Sequence, residues 1–162
     1  MRTKRTQQNR PRPRPAARIQ VQIACNARDL PGARRLRALA RTAAAGSAQV
    51  TLRIVGAAEG RRLNRAFRGR DYATNVLAFD YRVPPPARRP LCGDIVLCHP
   101  VLAREARAQC KTLADHYAHV VVHGMLHLRG YDHMKAKQAA RMERCEARIL
   151  RRFGLADPYL IR

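Results

Sequence analysis

Tryptophan is absent from the 162-residue sequence, and aromatic residues together make up only 5% of it. A folded core must therefore consist mainly of aliphatic side chains. These are plentiful enough, because 46% of the residues are hydrophobic. This content excludes wholesale disorder and indicates a globular chain with the length of about one domain.

Long apolar segments are also missing from the sequence. No run approaches the roughly 20 residues that cross a bilayer. The basic N-terminus is not followed by the apolar stretch that a secretory signal requires. We therefore expect a protein that neither spans a membrane nor is secreted, and that works in the cytoplasm.

Cysteines with the spacing of metal or redox sites are lacking. The five cysteines are odd in number and include no Cys-x-x-Cys pair. This favours free thiols in a reducing compartment over a disulfide framework. Cys92 and Cys98 bracket an apolar run, so we interpret them as core or strand-end residues and not as metal ligands.

Acidic residues are scarce, with 11 against 33 Lys and Arg, which gives a formal net charge of +22. Such an excess favours a polyanionic partner, because Lys and Arg contacts to phosphates release counterions. Nucleic acid is the partner that the charge indicates first. A membrane surface and compositional bias are the alternatives, since only 4 of the 33 basic residues are Lys.

The N-terminal segment differs in composition from the rest of the chain. Residues 1–16 contain six basic residues, three prolines and no acidic residue, and such segments bury too little apolar area to fold. We predict a disordered basic tail over 1–16, which is either an arm on RNA backbone or a solvated tail. Residues 17–162 are predicted to form a single domain.

Apolar periodicity within that domain predicts four strands and five helices. The strands are expected over residues 19–23, 50–55, 75–81 and 94–98, and the helices around 36–43, 58–67, 100–109, 112–128 and 136–153. This order indicates an α+β fold, with a mixed four-stranded sheet flanked by helices and the last helices forming a separate layer. A proline-rich basic loop over 84–90 is expected at the surface.

One stretch has the spacing of a metal site. His123 and His127 lie four residues apart on a predicted helix, so their rings project from one face. Gly130 can end that helix with a positive φ and turn the chain back, which brings His133 within reach. Three His ligands with an open fourth position are typical of catalytic zinc sites, and the spacing predicts such a site at a helix end and the following turn.

Two further histidines precede this stretch. His119 lies one turn before His123, but three histidines in line along a straight helix are spread over too great a length to meet at one ion, at about 6 Å per turn. We therefore interpret His116 and His119 as flanking residues. A zinc peptidase of the His-Glu-x-x-His type is disfavoured, because Gly124 stands where the general-base Glu would be.

The stretch His123 to His133 resembles the signature of the YbeY family, bacterial endoribonucleases and ribosomal RNA maturation factors. Residues 63–79, 93–98 and 142–146 are similar to other blocks of that family, so the resemblance covers most of 18–155. The first 16 residues match nothing in it. Ala73 and Ala78 depart from the family pattern, which has Pro and Ser or Thr there.

The resemblance implies that His123, His127 and His133 hold one zinc ion per chain. It also implies cleavage of single-stranded RNA, 3′-end maturation of small-subunit ribosomal RNA and removal of defective ribosomes, with ribosomal RNA and the small subunit as partners. The family's functionally important Arg falls on Arg68, so Arg68 and His123 become the candidate catalytic residues. An Arg fork suits phosphate, because it can bind two of its oxygens.

A second hypothesis is a non-catalytic ribosome assembly factor with a structural zinc. In that case the zinc would pin the last helices, and the basic surface would hold ribosomal RNA. An open fourth ligand position beside Arg68 would distinguish the enzyme, because structural zinc is closed by four protein ligands. The sequence predicts no oligomeric state.

Overall fold

The computed structural model describes residues 16–81 and 90–160. The predicted tail over 1–16 therefore lies outside the described residues except for Ala16. The predicted loop over 84–90 lies outside them except for Pro90.

The described residues form four strands and five helices, which confirms the predicted element order. The strands are β1 (Arg18–Ala24), β2 (Ala48–Val55), β3 (Val76–Asp80) and β4 (Leu91–Cys98). The helices are α1 (Ala33–Ala44), α2 (Ala57–Arg68), α3 (His99–Ala108), α4 (Leu113–Leu128) and α5 (Ala136–Arg151).

The sheet is mixed, with the strand order β1-β2-β4-β3. β1 and β2 are parallel, as are β2 and β4, whereas β3 runs antiparallel to β4. β4 is inserted between β2 and β3, so β3 becomes an edge strand with one open side. This α+β arrangement confirms the predicted mixed four-stranded sheet in a single domain.

The main core lies between one face of the sheet and α1, α4 and α5. It is largely aliphatic, as the composition predicts, with Tyr117 as its largest fully buried side chain. Its helical members include the leucines and alanines of α1 that recur at helical spacing. α4 packs directly on the sheet at Ile95 of β4, so the predicted separate layer of last helices is only partly formed.

A smaller cluster covers part of the opposite face of the sheet. Leu77 of β3 and Val96 of β4 are buried there, with Leu63 of α2 packed against them. This cluster places α2 behind the sheet and brings its C-terminal end, at Arg68, toward strand β3. The position of α2 therefore decides where the Arg68 side chain can act.

The predicted start of β4 at Asp94 is three residues too late. The strand begins at Leu91, because its parallel ladder with β2 starts at the pair Ala48 and Leu91. Gly93, where a boundary was expected, pairs with Val50 inside the strand. Helix α1 begins at Ala33, three residues before the predicted start at 36, and the remaining predicted elements match within two residues at each end.

Within the described ranges, every helix is too short or too polar to cross a membrane. The five cysteines are free thiols. Cys98 is buried at the end of β4, as predicted for a core or strand-end residue.

Candidate active site

The central helix α4 carries two of the predicted metal ligands. Thr112 caps its start by accepting a hydrogen bond from the backbone N–H of Asp115, which satisfies one free helical donor. The helix is apolar on nearly every side, which allows most of it to be buried. His123 and His127 are only partly buried, because they face the one side of α4 that opens to solvent.

Gly124 allows this helix to lie close to the sheet. A Cβ at this position would come within 3.1 Å of Ile95 Cγ2, which is tighter than ordinary van der Waals contact. A larger residue in its place would require the Ile95 side chain to shift by a few tenths of an ångström. The tight packing favours a small residue at the position where a His-Glu-x-x-His peptidase would carry its general-base Glu.

The turn after α4 carries the third histidine. Gly130 has a φ of 85°, its N–H donates to His127 O, and the N–H of Tyr131 donates to Leu126 O. These two bonds form a Schellman motif that needs a left-handed residue, which confirms the predicted role of Gly130. The Asp132 carboxylate then accepts from the backbone N–H of His133 at 2.7 Å and so holds the turn.

The three predicted ligands meet at one point. One ring nitrogen from each of His123, His127 and His133 lies within 4.8 Å of the others, and the Nε2 atoms of His123 and His127 are 3.0 Å apart. Two nitrogens bound to one tetrahedral zinc ion lie about 3.3 Å apart. A set of three imidazoles at these separations could hold a divalent transition metal such as zinc.

The environment of His127 favours the neutral form of its ring. Burial lowers its pKa, and the neighbouring rings of His123 and His133 lower it further, against a weaker opposing effect of the Tyr131 backbone. A neutral imidazole is the form that binds metal. The pocket therefore favours the protonation state that a metal centre requires.

Glu146 supports the site from behind, on α5. It is fully buried, and its carboxylate accepts hydrogen bonds from His123 Nδ1 at 2.7 Å, from His119 Nε2 at 3.1 Å and from the Tyr159 hydroxyl. Burial raises its pKa, but the hydrogen bonds outweigh burial and lower the pKa to about 2. The ionised carboxylate holds the His123 proton on Nδ1 and leaves Nε2 with its lone pair.

The two flanking histidines have other partners. His116 is buried and its Nε2 lies 2.8 Å from Glu105 Oε2. His119 contacts Glu146 and lies 3.2 Å from the Tyr159 hydroxyl. These contacts are consistent with the interpretation that both flank the metal ligands.

A cavity of about 460 Å³ joins the three histidines to Arg68. Arg68, at the end of α2, and Thr74 and Asn75, just before β3, line it with the three histidines. Asn75 Nδ2 donates to Glu105 Oε2 at 3.1 Å, which fixes the orientation of its amide. The structure thus places all the predicted site residues around one opening.

Arg68 lacks a carboxylate partner in the part of the chain that the structure describes. Asp71, the nearest acidic residue in sequence, accepts two hydrogen bonds from Arg61, at 2.9 and 2.7 Å. That pair is exposed and of little consequence for stability. It leaves the Arg68 guanidinium available to an anion in the cavity.

Sequence reasoning missed the role of Glu146. The signal was nevertheless present, because Met142, Cys145, Ile149 and Leu150 recur at helical spacing and form the buried side of α5. A carboxylate on such an apolar stripe is costly to bury without partners. Its position therefore indicated a group of buried donors, here the histidines of α4.

We expect Glu146→Gln to weaken metal binding by about 10–100-fold, the usual cost of losing such a supporting partner. The Gln amide would set an N–H donor against the donors that Glu146 accepts from. Competition with a chromophoric chelator measures the change. Glu143→Gln, which removes the same charge from the same helix, is the control, and equal affinities of the two variants would contradict the role of Glu146.

Comparison with known proteins gives a consistent set of relatives. A family model described as endoribonuclease YbeY matches residues 32–154. An endoribonuclease YbeY from Bordetella pertussis is 64% identical over 115 residues, which are 70% of this chain and 71% of the relative. One from Thiobacillus denitrificans is 50% identical over 145 residues, which are 90% of this chain and 97% of the relative.

One solved structure supports the fold. The solution structure of TM1509 from Thermotoga maritima covers 89% of this chain and 100% of its own, with a TM-score of 0.54 and 23% sequence identity. At that identity the likeness concerns the fold alone.

Proposed function

Since the chain belongs to the endoribonuclease YbeY family, we propose that it is a zinc-dependent endoribonuclease that cleaves single-stranded RNA. The observation that carries this proposal is the meeting of three imidazoles and an unpaired guanidinium around one cavity. We assign this activity to a single domain over 17–162.

His123, His127 and His133 would hold the metal through one ring nitrogen each. A bound zinc ion supplies positive charge and a Lewis acid beside the phosphate that is cleaved. Glu146 keeps His123 in the tautomer that leaves Nε2 free. The role of α4 is to fix two of these rings before any substrate arrives.

Arg68, which lines the same cavity as the three histidines, would bind the phosphodiester. Its planar fork can donate to two phosphate oxygens at once, and it offsets the negative charge that develops there during cleavage. The end of α2 places the Arg68 backbone beside the cavity, and its side chain is available to the phosphate. Asn75, with its amide held by Glu105, lines the same opening.

The proposal of ribosomal RNA as the substrate rests on the net charge of the chain and on its family. The net charge of +22 supports binding to a long polyanion, and membership of this family supports ribosomal RNA in the cytoplasm as its source. We propose that the chain acts in 3′-end maturation of small-subunit ribosomal RNA and in ribosome quality control, with the small subunit as its partner.

The alternative is an assembly factor with a structural zinc. Structural zinc sites use four protein ligands, whereas the metal group found among the described residues has three. That group also opens onto the cavity that holds Arg68. Both observations favour the enzyme.

The test is RNA cleavage by the zinc-loaded wild type and by His123→Ala, on a single-stranded RNA and on the same sequence as a duplex. We expect the wild type to cut the single strand, with the duplex resistant and the variant inactive on both. Product termini identify the attacking group, because a 2′,3′-cyclic phosphate requires attack by the ribose hydroxyl. RNA binding without cleavage by the zinc-loaded wild type would favour the assembly factor.

A further inference from the structure

Three aromatic side chains lie on the face of the sheet opposite α4, next to the cavity. They are Phe67 near the end of α2, Phe79 in β3 and Tyr81 directly after β3, and we call them the aromatic ledge. Phe67 is 64% exposed and Tyr81 is 55% exposed. Exposure of this size is notable in a chain with only 5% aromatic residues.

The ledge is ordered by direct contacts. The rings of Phe67 and Phe79 meet edge to face, with centroids 4.8 Å apart and planes at 69°. Tyr81 lies directly after the strand, and its side chain is on the same face as Phe79, as its contact with Asp94 shows. Its hydroxyl donates to Asp94 Oδ2 at 2.9 Å, and Asp94 is the strand partner of Phe79. These contacts fix the positions of the rings, while Phe67 and Tyr81 stay exposed to solvent.

The ledge and the cavity lie on the two sides of one edge strand. Ala78 and Asp80 line the cavity, whereas Phe79 and Tyr81 alternate with them and face the other way. Phe67 directly precedes Arg68, which also lines the cavity. A strand of RNA with its phosphate at Arg68 would therefore reach the ledge within a few nucleotides.

The charges around the ledge favour a polyanion over an apolar protein partner. α2 carries Arg61, Arg62, Arg65 and Arg68, all exposed. Of the acidic groups nearby, Asp71 is offset by Arg61. Asp94 accepts from the neutral Tyr81 hydroxyl and keeps its charge, so the preference for a polyanion rests on the excess of Arg on α2. Aromatic faces interleaved with basic groups are the usual surface for unpaired nucleotides.

We propose that the aromatic ledge is a binding subsite for unpaired nucleobases of the RNA strand whose phosphate lies at Arg68. This inference rests on the proposed function and gives its single-strand preference a physical cause. A base must leave its stack to lie on Phe67 or Tyr81, and a duplex cannot offer free base faces. The phosphate site itself does not distinguish paired from unpaired RNA.

The test measures binding of a short, unstructured, fluorescein-labelled oligoadenylate by anisotropy, with its integrity checked on a denaturing gel. We expect Phe67→Ala to weaken binding roughly 5- to 100-fold, the range for loss of one stacking partner. Phe67→Tyr should retain the affinity. Phe67→Leu keeps an apolar contact to Phe79 without the aromatic face, and it should behave like Phe67→Ala.

An abasic strand of the same length separates stacking from charge. On that strand the wild type and Phe67→Ala should bind equally, because no base is present to stack. Ile23→Ala removes a side chain that is 57% exposed on the other edge strand, β1. This control variant should bind both strands with the wild-type affinity. Equal weakening of both strands by Phe67→Ala, or no weakening of either, would overturn the subsite and leave the ledge as a surface for another partner.

The failure of this inference is distinguishable from failure of the proposed function. If the wild type cleaves RNA and Phe67→Ala binds oligoadenylate as the wild type does, the subsite is wrong and the enzyme stands. If Phe67→Ala weakens binding of oligoadenylate but not of the abasic strand, while the zinc-loaded wild type cuts no RNA, the subsite is confirmed and the protein binds RNA without cleaving it.

Discussion

Replacement of Arg68 by Lys should slow cleavage of bound RNA by about 10²–10³-fold, the cost of losing one donor to a developing charge. Lys keeps the positive charge but presents a single point donor, so it cannot contact two phosphate oxygens as the Arg fork does. RNA affinity and zinc content should stay close to those of the wild type. Single-turnover cleavage and anisotropy on the same RNA separate the rate from the affinity.

Arg62→Lys is the matched control, because Arg62 is an exposed Arg on the same helix that does not line the cavity. It should cleave at the wild-type rate. If Arg68→Lys lost affinity and cleavage in equal proportion, with an unchanged rate for bound RNA, Arg68 would be one more basic contact. The proposed active site would then consist of the metal group alone.

Replacement of His133 by Ala should lower zinc affinity by more than about 100-fold, beyond the usual cost of losing a supporting partner. Purified wild type should carry about one zinc per chain. His133 lies outside α4, so a large effect requires that the turn at Gly130 brings it to the metal. Metal content by mass spectrometry and competition with a chelator measure the change.

His119→Ala is the comparison, because His119 lies on the same helix as His123 but contacts Glu146 and Tyr159. It should keep most of the zinc affinity. The reverse order of effects, with zinc retained in His133→Ala and lost in His119→Ala, would assign the metal to a stripe along α4. A zinc content near zero in the wild type that added zinc cannot raise would remove the site.

The metal group was predictable because its members are close in sequence. Helical spacing relates His123 to His127, and Gly130 determines the turn that returns His133. Arg68 differs, since one Arg among many carries no local signal and only the family resemblance selected it. Its place beside the histidines depends on packing of α2 behind the sheet, which no short pattern encodes.

Two other features depend on the order of the strands. β4 lies between β2 and β3, although β3 precedes it in the chain, and this insertion makes β3 an edge strand. Without that order, neither the cavity beside Ala78 nor the exposed rings beyond it can be foreseen. Glu146 was predictable in principle as a buried carboxylate, but its partner His123 lies 23 residues away and on another helix.

The division of the three histidines between α4 and the following turn has a consequence for metal loading. His123 and His127 belong to a helix that is packed into the core, whereas His133 lies on an exposed turn. The conformational entropy lost when a metal binds therefore falls on the few residues between Gly130 and Lys135, and hardly on α4. Metal binding would then restrict only the His133 side chain and the turn that carries it, unlike the zinc fingers whose whole fold depends on the ion.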